Sequence, residues 1–190
     1  MALWQTTRFR LDLTRPLVMG IVNNTPDSFS DGGHHHSVTA ALRHAEKLLK
    51  DGAHILDIGG ESTRPGSPAV PLEEEMRRVL PFVQAAVQFG VPISVDTYKA
   101  QVMQAVLDAG ADIINDVWAL RQPGAQSVVA NHPQCGVVLM HMHKTPQDMQ
   151  QTPMQGDAVA QVQNFLAQQT QALVALGVER QRIVWDYGIG

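Results

Sequence analysis

Six apolar runs in this 190-residue chain each end on a polar side chain. They cover residues 18–23, 55–57, 93–96, 113–115, 137–141 and 183–186, and stop at Asn23, Asp57, Asp96, Asn115, His141 and Asp186. Between consecutive runs lies a segment with helical periodicity, a long polar loop, or both. A run that stays apolar along its length suits a parallel strand buried on both faces under helices. Polar residues gathered at one end of such strands put the chemistry at the carboxyl edge, where α/β sheets and barrels bind ligands.

The intervening segments read as helices closed by glycine. Ser37 can cap a helix carrying Leu42, Ala45, Leu48 and Leu49 on one face and ending at Gly52. The next opens near Pro71, with Glu73, Glu74 and Glu75 in its first turn, where the helix dipole favours them. Its expected buried stripe is Met76, Val79, Leu80, Val83 and Val87, with Pro81 a kink and Gly90 a stop. Further helices are expected over 100–109, 125–130 and 157–176, the last with Val159, Val162, Phe165, Leu166, Leu173 and Val174 inward. Residues 9–13 alternate apolar and polar, as a short half-exposed strand would.

Alternating β/α units fit either an open doubly wound sheet or a closed barrel. No Gly-x-Gly-x-x-Gly follows the first strand, and polar residues end all six strands rather than two at a switch point. That distribution favours a barrel. Eight units take roughly 250 residues, so six units leave the architecture two short.

Composition excludes other classes. Hydrophobic content of 44% with 17% charged residues belongs to a globular chain, not a disordered one. A formal charge of −4 without a Lys/Arg cluster gives no reason to expect nucleic acid. No run approaches the roughly 18–20 apolar residues of a membrane span, and residues 1–10 lack a signal-peptide core. The single Cys135 reads as a small core residue, and the expected location is cytoplasmic.

Two loops on the predicted active edge are chemically loaded. Asn23-Asn24-Thr25-Pro26-Asp27-Ser28-Phe29-Ser30-Asp31-Gly32-Gly33 is dense in side-chain oxygens. Gly59-Gly60-Glu61-Ser62-Thr63-Arg64-Pro65-Gly66-Ser67 combines glycines, hydroxyls and an arginine, which suits holding a phosphate. These segments, with Met19-Gly20-Ile21-Val22-Asn23 before them, resemble the two signature loops of the dihydropteroate synthase family. The resemblance continues through Ser94-Val95-Asp96-Thr97, Ile114-Asn115-Asp116, Leu139-Met140-His141-Met142 and Asp186-Tyr187-Gly188-Ile189-Gly190, in family order and spacing.

The resemblance implies a TIM-type (β/α)8 barrel, of which the chain holds about six units, as one pterin-binding domain over residues 1–190. It implies a transferase of folate biosynthesis that joins 6-hydroxymethyl-7,8-dihydropterin diphosphate to 4-aminobenzoate, releases diphosphate and uses Mg²⁺. By motif, Asp96, Asn115 and Asp186 would hydrogen-bond the pterin, whose N–H donors need carboxylate or amide oxygens. Met140 would lie against the ring. Asn23 would contact Mg²⁺. Thr63 and Arg64 would hold the diphosphate, and Phe29, Thr63 and Pro65 would wall the 4-aminobenzoate site. Asp96 is also the expected catalytic group, favouring positive charge that develops on the pterin. The family's usual partner is a second copy, so a homodimer is expected at full length, with no nucleic acid and no membrane.

Several residues carry blander expectations. Asp57 and His141 are open between structural and catalytic roles, with His141 favoured as structural. The run His34-His35-His36 is expected in a solvated loop, and Trp118 and Trp185 are expected to pack. Tyr98 stands where the family usually has Ser or Thr, Asn24 where a small apolar residue is usual. His143-Lys144 replaces the family's more frequent Gln-Gly, and Tyr187 its proline. The sixth-strand motif stops at Gly190, so a partial sequence is expected, lacking the later lysine and Arg-x-His of the family. Two rivals are a non-catalytic pterin-binding paralogue and a pterin-dependent methyltransferase barrel.

Overall fold

The computed structural model describes residues 2–23, 33–62, 68–142 and 156–189, excluding the side chains of residues 33–37. A two-stranded antiparallel hairpin, β1 (Leu3–Gln5) and β2 (Arg10–Asp12), precedes the main sheet. Six parallel strands follow: β3 (Met19–Asn23), β4 (Ile55–Gly59), β5 (Ile93–Asp96), β6 (Ile113–Asp116), β7 (Gly136–Met140) and β8 (Ile183–Asp186). Five helices connect them: α1 (Gly33–Lys50), α2 (Leu72–Ala86), α3 (Ala100–Asp108), α4 (Ala125–Asn131) and α5 (Ala158–Ala175). Each strand pairs with the next in sequence, in the order β3-β4-β5-β6-β7-β8. A doubly wound sheet would reverse direction at a switch point. The unbroken order is that of a TIM-type barrel, present here among the described residues as six strands and the five helices between them.

Strand alternation divides the apolar residues into two layers. Val22, Leu56, Ile58, Ile93, Val95, Ile114, Val137 and Leu139 face the helices and form one cluster with Val79, Phe82, Val83, Val102, Val106 and Leu166. Ile55, Ile113 and Val138 face the other way and pack with Trp4, Leu11, Leu17, Met19 and Val184. The hairpin thus closes the amino end of the inner face. Trp4 Nε1 donates to the Arg182 carbonyl at 2.9 Å. Gly136 permits this approach, because a Cβ there would lie 3.0 Å from Thr6 Cγ2 and 3.1 Å from Trp4 Nε1.

Several expectations need correction. Strand β1 has too few residues to carry a periodic signal and was not anticipated. Helix α1 begins at Gly33 rather than Ser37, so His34, His35 and His36 lie in a helical turn instead of a loop. The buried face of α2 is Glu75, Val79, Phe82, Val83 and Ala86, while Met76 and Leu80 are only half-buried and Val87 starts a 3-10 turn. That stripe is rotated from the expected one and includes a carboxylate. In α5 the buried residues are Leu166, Thr170 and Leu173, and Val159 and Val174 are exposed at 67% and 46%. An i, i+4, i+7 stripe through 166 leaves 159 near its frayed start and 174 off the face. Asp157 caps α5, accepting from the Ala160 amide at 3.0 Å.

Candidate active site

The parallel register aligns the strand ends in layers. Asn23, Gly59, Asp96, Asn115, Val138 and Val184 are successive partners across β3 to β8. One layer below, Ile21, Asp57, Ser94, Ile113 and Gly136 are partners on the same inner face. One layer above, Met140 pairs with Asp186. Five expected residues, Asn23, Asp96, Asn115, Met140 and Asp186, therefore occupy the carboxyl edge on one face. Phe29, Thr63, Arg64 and Pro65 lie outside the described residues.

The centre of this edge is a cluster of under-satisfied polar groups. Asn115 Nδ2 donates to Asp57 Oδ2 at 3.2 Å. Asp57 Oδ1, Ser94 Oγ and Asp96 Oδ1 are buried without a hydrogen-bond partner among the described residues. Buried polar atoms are normally paired, so three orphans in adjacent register positions mark a surface built for something else. Burial pushes the Asp96 carboxyl well above the usual carboxylate range, and the charges of Asp57, Asp116, Glu75 and Glu61 push it further. Burial also raises Asp57, against the opposing pull of the nearby Ser94 hydroxyl and Asn115 amide. Ser94 stands close enough to exert that pull without a well-formed hydrogen bond.

The site's walls come from loops held by their own chemistry. Asp116 accepts from the Trp118 amide (2.7 Å) and the Leu120 amide (2.8 Å). These bonds hold a turn in which Ala119 and Leu120 have φ of 51° and 59°, the left-handed region that side chains avoid. Burial raises Asp116 to about 6, with the two amides and Arg121 pulling it down. At β8, the Asp186 carbonyl accepts from the His141 amide (2.9 Å), and Asp186 Oδ1 accepts from the Gly188 amide (2.8 Å). His141 itself turns outward, its ring edge-on to Phe165 at 5.2 Å, which supports its structural reading. Trp185 packs as expected, donating to Thr170 Oγ1 at 2.8 Å, and Trp118 lies 6.0 Å from the Tyr98 ring. A largely apolar cavity of about 320 Å³ adjoins β8, lined by Trp4, Met19, Val138, Val184, Asp186 and Ile189 among others.

Asn23 has a metal-compatible oxygen but little company. A Cβ on Gly59 would stand 2.8 Å from Asn23 Oδ1, so glycine leaves that oxygen clear at the edge. Among the described residues no group of three His, Cys, Asp or Glu side chains converges as a metal site. One neutral oxygen fits an ion such as Mg²⁺, which takes most of its ligands from phosphates and water.

Sequence reasoning missed Glu75, Lys99, Ser94 and Asp116. The readable signal for Glu75 was a glutamate spaced with Val79, Phe82 and Ala86 on one helical face. Ser94 and Asp116 flank expected residues and gave no separate signal.

Comparison with known proteins agrees with this fold. The family model described as pterin binding enzyme matches residues 19–190. The dihydropteroate synthase of Neisseria meningitidis serogroup B is 48% identical over 189 residues, covering 98% of this chain and 66% of that protein. The crystal structure of Burkholderia cenocepacia dihydropteroate synthase complexed with 7,8-dihydropteroate superposes with a TM-score of 0.89 at 50% identity, covering 100% of this chain and 64% of that one. The Xanthomonas albilineans enzyme with 4-aminobenzoic acid gives a TM-score of 0.86 at 52% identity, covering 95% and 64%. The chain thus spans about two thirds of the length of these relatives. No described helix is long and apolar enough to cross a membrane. By its sequence, its strand order and its match over residues 19–190, the chain belongs to the pterin binding enzyme family.

Proposed function

We propose that the protein is a dihydropteroate synthase, condensing 6-hydroxymethyl-7,8-dihydropterin diphosphate with 4-aminobenzoate to give 7,8-dihydropteroate and diphosphate. The observation that carries this reading is the Asp96–Asn115–Asp57 cluster on the inner face, in which one oxygen each of Asp57 and Asp96 is buried without a partner among the described residues. A pterin's amino and ring N–H groups would satisfy those oxygens, and the flat ring would lie near the Met140 thioether. Asp186, at the next layer on β8, would complete the polar contacts. The relatives named above are synthases, which favours this reading over a binding-only paralogue or a methyltransferase barrel.

In the proposed reaction the C–O bond between the pterin methylene and diphosphate breaks, and the arylamine nitrogen bonds to the methylene carbon. The arylamine then loses a proton to solvent. Asp96, once ionised against the ring, stabilises the positive charge that builds on the pterin as diphosphate leaves. Asn115 and Asp57 keep the ring in register with that carboxylate. Mg²⁺, when bound with the diphosphate, would neutralise charge on the leaving group, with Asn23 supplying an oxygen ligand. Thr63 and Arg64 would hold the diphosphate, and Phe29, Thr63 and Pro65 would line the arylamine site. The same reading includes a cytoplasmic enzyme of small-molecule substrates that forms a homodimer at full length.

The test is diphosphate release with both substrates and Mg²⁺, alongside equilibrium pterin binding by fluorescence. Asp96→Asn should cut turnover at least tenfold in the full-length enzyme. Unchanged turnover would sink the role of Asp96. Pterin binding by the full-length protein without diphosphate release would point instead to the binding-only paralogue.

A further inference from the structure

Beside the Asp96 pocket lies an ion cluster that the reading above does not use. Lys99, three residues after Asp96, pairs its ammonium with both Glu61 and Glu75. The Glu75 side chain is 1% exposed, that of Glu61 10% and that of Lys99 16%. Each carboxylate also receives a hydroxyl: Thr97 Oγ1 donates to Glu75 Oε1 at 2.6 Å, and Tyr98 OH donates to Glu61 Oε1 at 2.9 Å. The ammonium stands 4.5 Å from the centroid of the Tyr98 ring. One cation thus serves two nearly buried carboxylates, an arrangement that collapses into uncompensated charge if the cation is removed.

The cluster also sets the backbone at the pocket rim. A Cβ on Gly60 would lie 2.7 Å from Val79 Cγ1 and 3.1 Å from Glu75 Cγ, so the chain after β4 rests directly on α2. Arg78 Nη1 donates to the Gly60 carbonyl at 2.9 Å. Around Asp96 the charged groups are Asp57 from β4, Asp116 after β6, Glu75 on α2 and Glu61 after β4. Arg121 answers Asp116, and Lys99 is the cation that answers Glu61 and Glu75. Burial lowers the Lys99 ammonium, and its bonds to the two glutamates more than offset this and leave it raised, so it stays charged.

We propose that Lys99 is a positioning residue for the pterin pocket: by binding Glu61 and Glu75 it offsets one of their two negative charges beside Asp96, which favours the Asp96 carboxylate that accepts from the ring's N–H donors. This rests on the pterin reading, and Lys99 itself touches neither substrate nor reacting atoms. Glu75 is held in place on α2, so without the ammonium its charge bears on Asp96 at full strength. Asp96 then holds a proton to higher pH, and a protonated carboxyl offers one acceptor fewer to the pterin.

The test compares wild type with Lys99→Met, Lys99→Arg and the double variant Lys99→Met/Glu75→Gln. The Asp96 carboxyl is followed by ¹³C NMR in ligand-free protein, and pterin affinity is measured from pH 5 to 9. In Lys99→Met the Asp96 titration should move to higher pH. Pterin affinity should fall roughly tenfold near neutrality and recover as pH rises. Lys99→Arg should restore both, and the double variant should restore the titration in part. An unmoved Asp96 titration in Lys99→Met, with affinity equally reduced at every pH, would overturn the proposal and leave Lys99 a structural tie. Should Lys99→Met not fold, the single variant Glu75→Gln must move the titration to lower pH, and no movement refutes the idea. A wild-type protein that binds no pterin contradicts the functional reading, while the NMR titration still decides the electrostatic role of Lys99.

Discussion

Replacing Arg182 should destabilise the protein although the residue lies at the amino edge, opposite the candidate site. The residue is 3% exposed and has no carboxylate partner among the described residues. Its guanidinium instead binds carbonyls: Nε to Cys135 at 2.8 Å, Nη2 to Val129 at 2.8 Å and Nη1 to Pro133 at 3.4 Å. Nη2 also lies 3.1 Å from Cys135 Sγ. One planar fork therefore ties the end of α4 and the entry of β7 to the entry of β8. Arg182→Met keeps most of the apolar stem and removes every donor. Two strong acceptors left unpaired cost about 1–3 kcal/mol each. Removing a buried cation without a counter-ion returns part of that. The net expectation is a loss of about 3 kcal/mol, or a fall in melting temperature of about 6–12 °C for a chain of this size. Arg182→Lys keeps the charge but cannot reach carbonyls on separate elements, so it should recover less than half. Urea denaturation followed by far-UV circular dichroism measures both. A loss below about 1 kcal/mol in Arg182→Met, or a gain, would show that the buried cation costs more than its three carbonyls return.

Stability should fall as pH rises from about 4 to 7. Asp116 is raised from 3.8 to about 6, so its protonated form is favoured by folding, and that contribution is complete below pH 3.8 and lost as pH passes about 6. The shift corresponds to at most about 3 kcal/mol. Asp57 and Asp96 act in the same direction, whereas His132, lowered by burial and Arg182, acts against them. Urea midpoints that rise over this interval would contradict the assigned burial of the three carboxyls. Gly188→Ala should displace the turn after β8. Gly188 has φ of 65°, and a Cβ there would lie 2.0 Å from the His141 carbonyl oxygen. The His141 amide should lose hydrogen-exchange protection and pterin affinity should drop at least tenfold; unchanged protection would refute the geometry.

The fold was legible because burial on both faces leaves a signature in the strands themselves. The runs at 93–96 and 183–186 coincide with β5 and β8, and each of the other four strands of the parallel sheet lies within two residues of its run. Helix faces were less legible. Their periodicity tolerates a rotation of one residue, so it predicts Val159 and Val174 inward and Glu75 as a first-turn charge, whereas the valines are exposed and the glutamate is buried. Asp96, Asn115 and Asp186 were legible as polar residues that close or nearly close a strand, whereas Met140 was indicated by the family resemblance alone.

What the sequence alone determined is therefore the order of β/α units, the edge that carries the polar strand ends, and the family motifs placed there. All three follow from local pattern: period, apolar run length, terminal residue type and motif. Tertiary structure alone decided which of those polar groups meet. Register put Asp57, Ser94, Asp96 and Asn115 in adjacent positions and left three of their atoms without a partner among the described residues. Helix packing brought Glu75 to Lys99 across 24 residues of chain, with Glu61 joining from the loop after β4. Electrostatic pairing depends on distance in space, and no local pattern in a sequence encodes that distance.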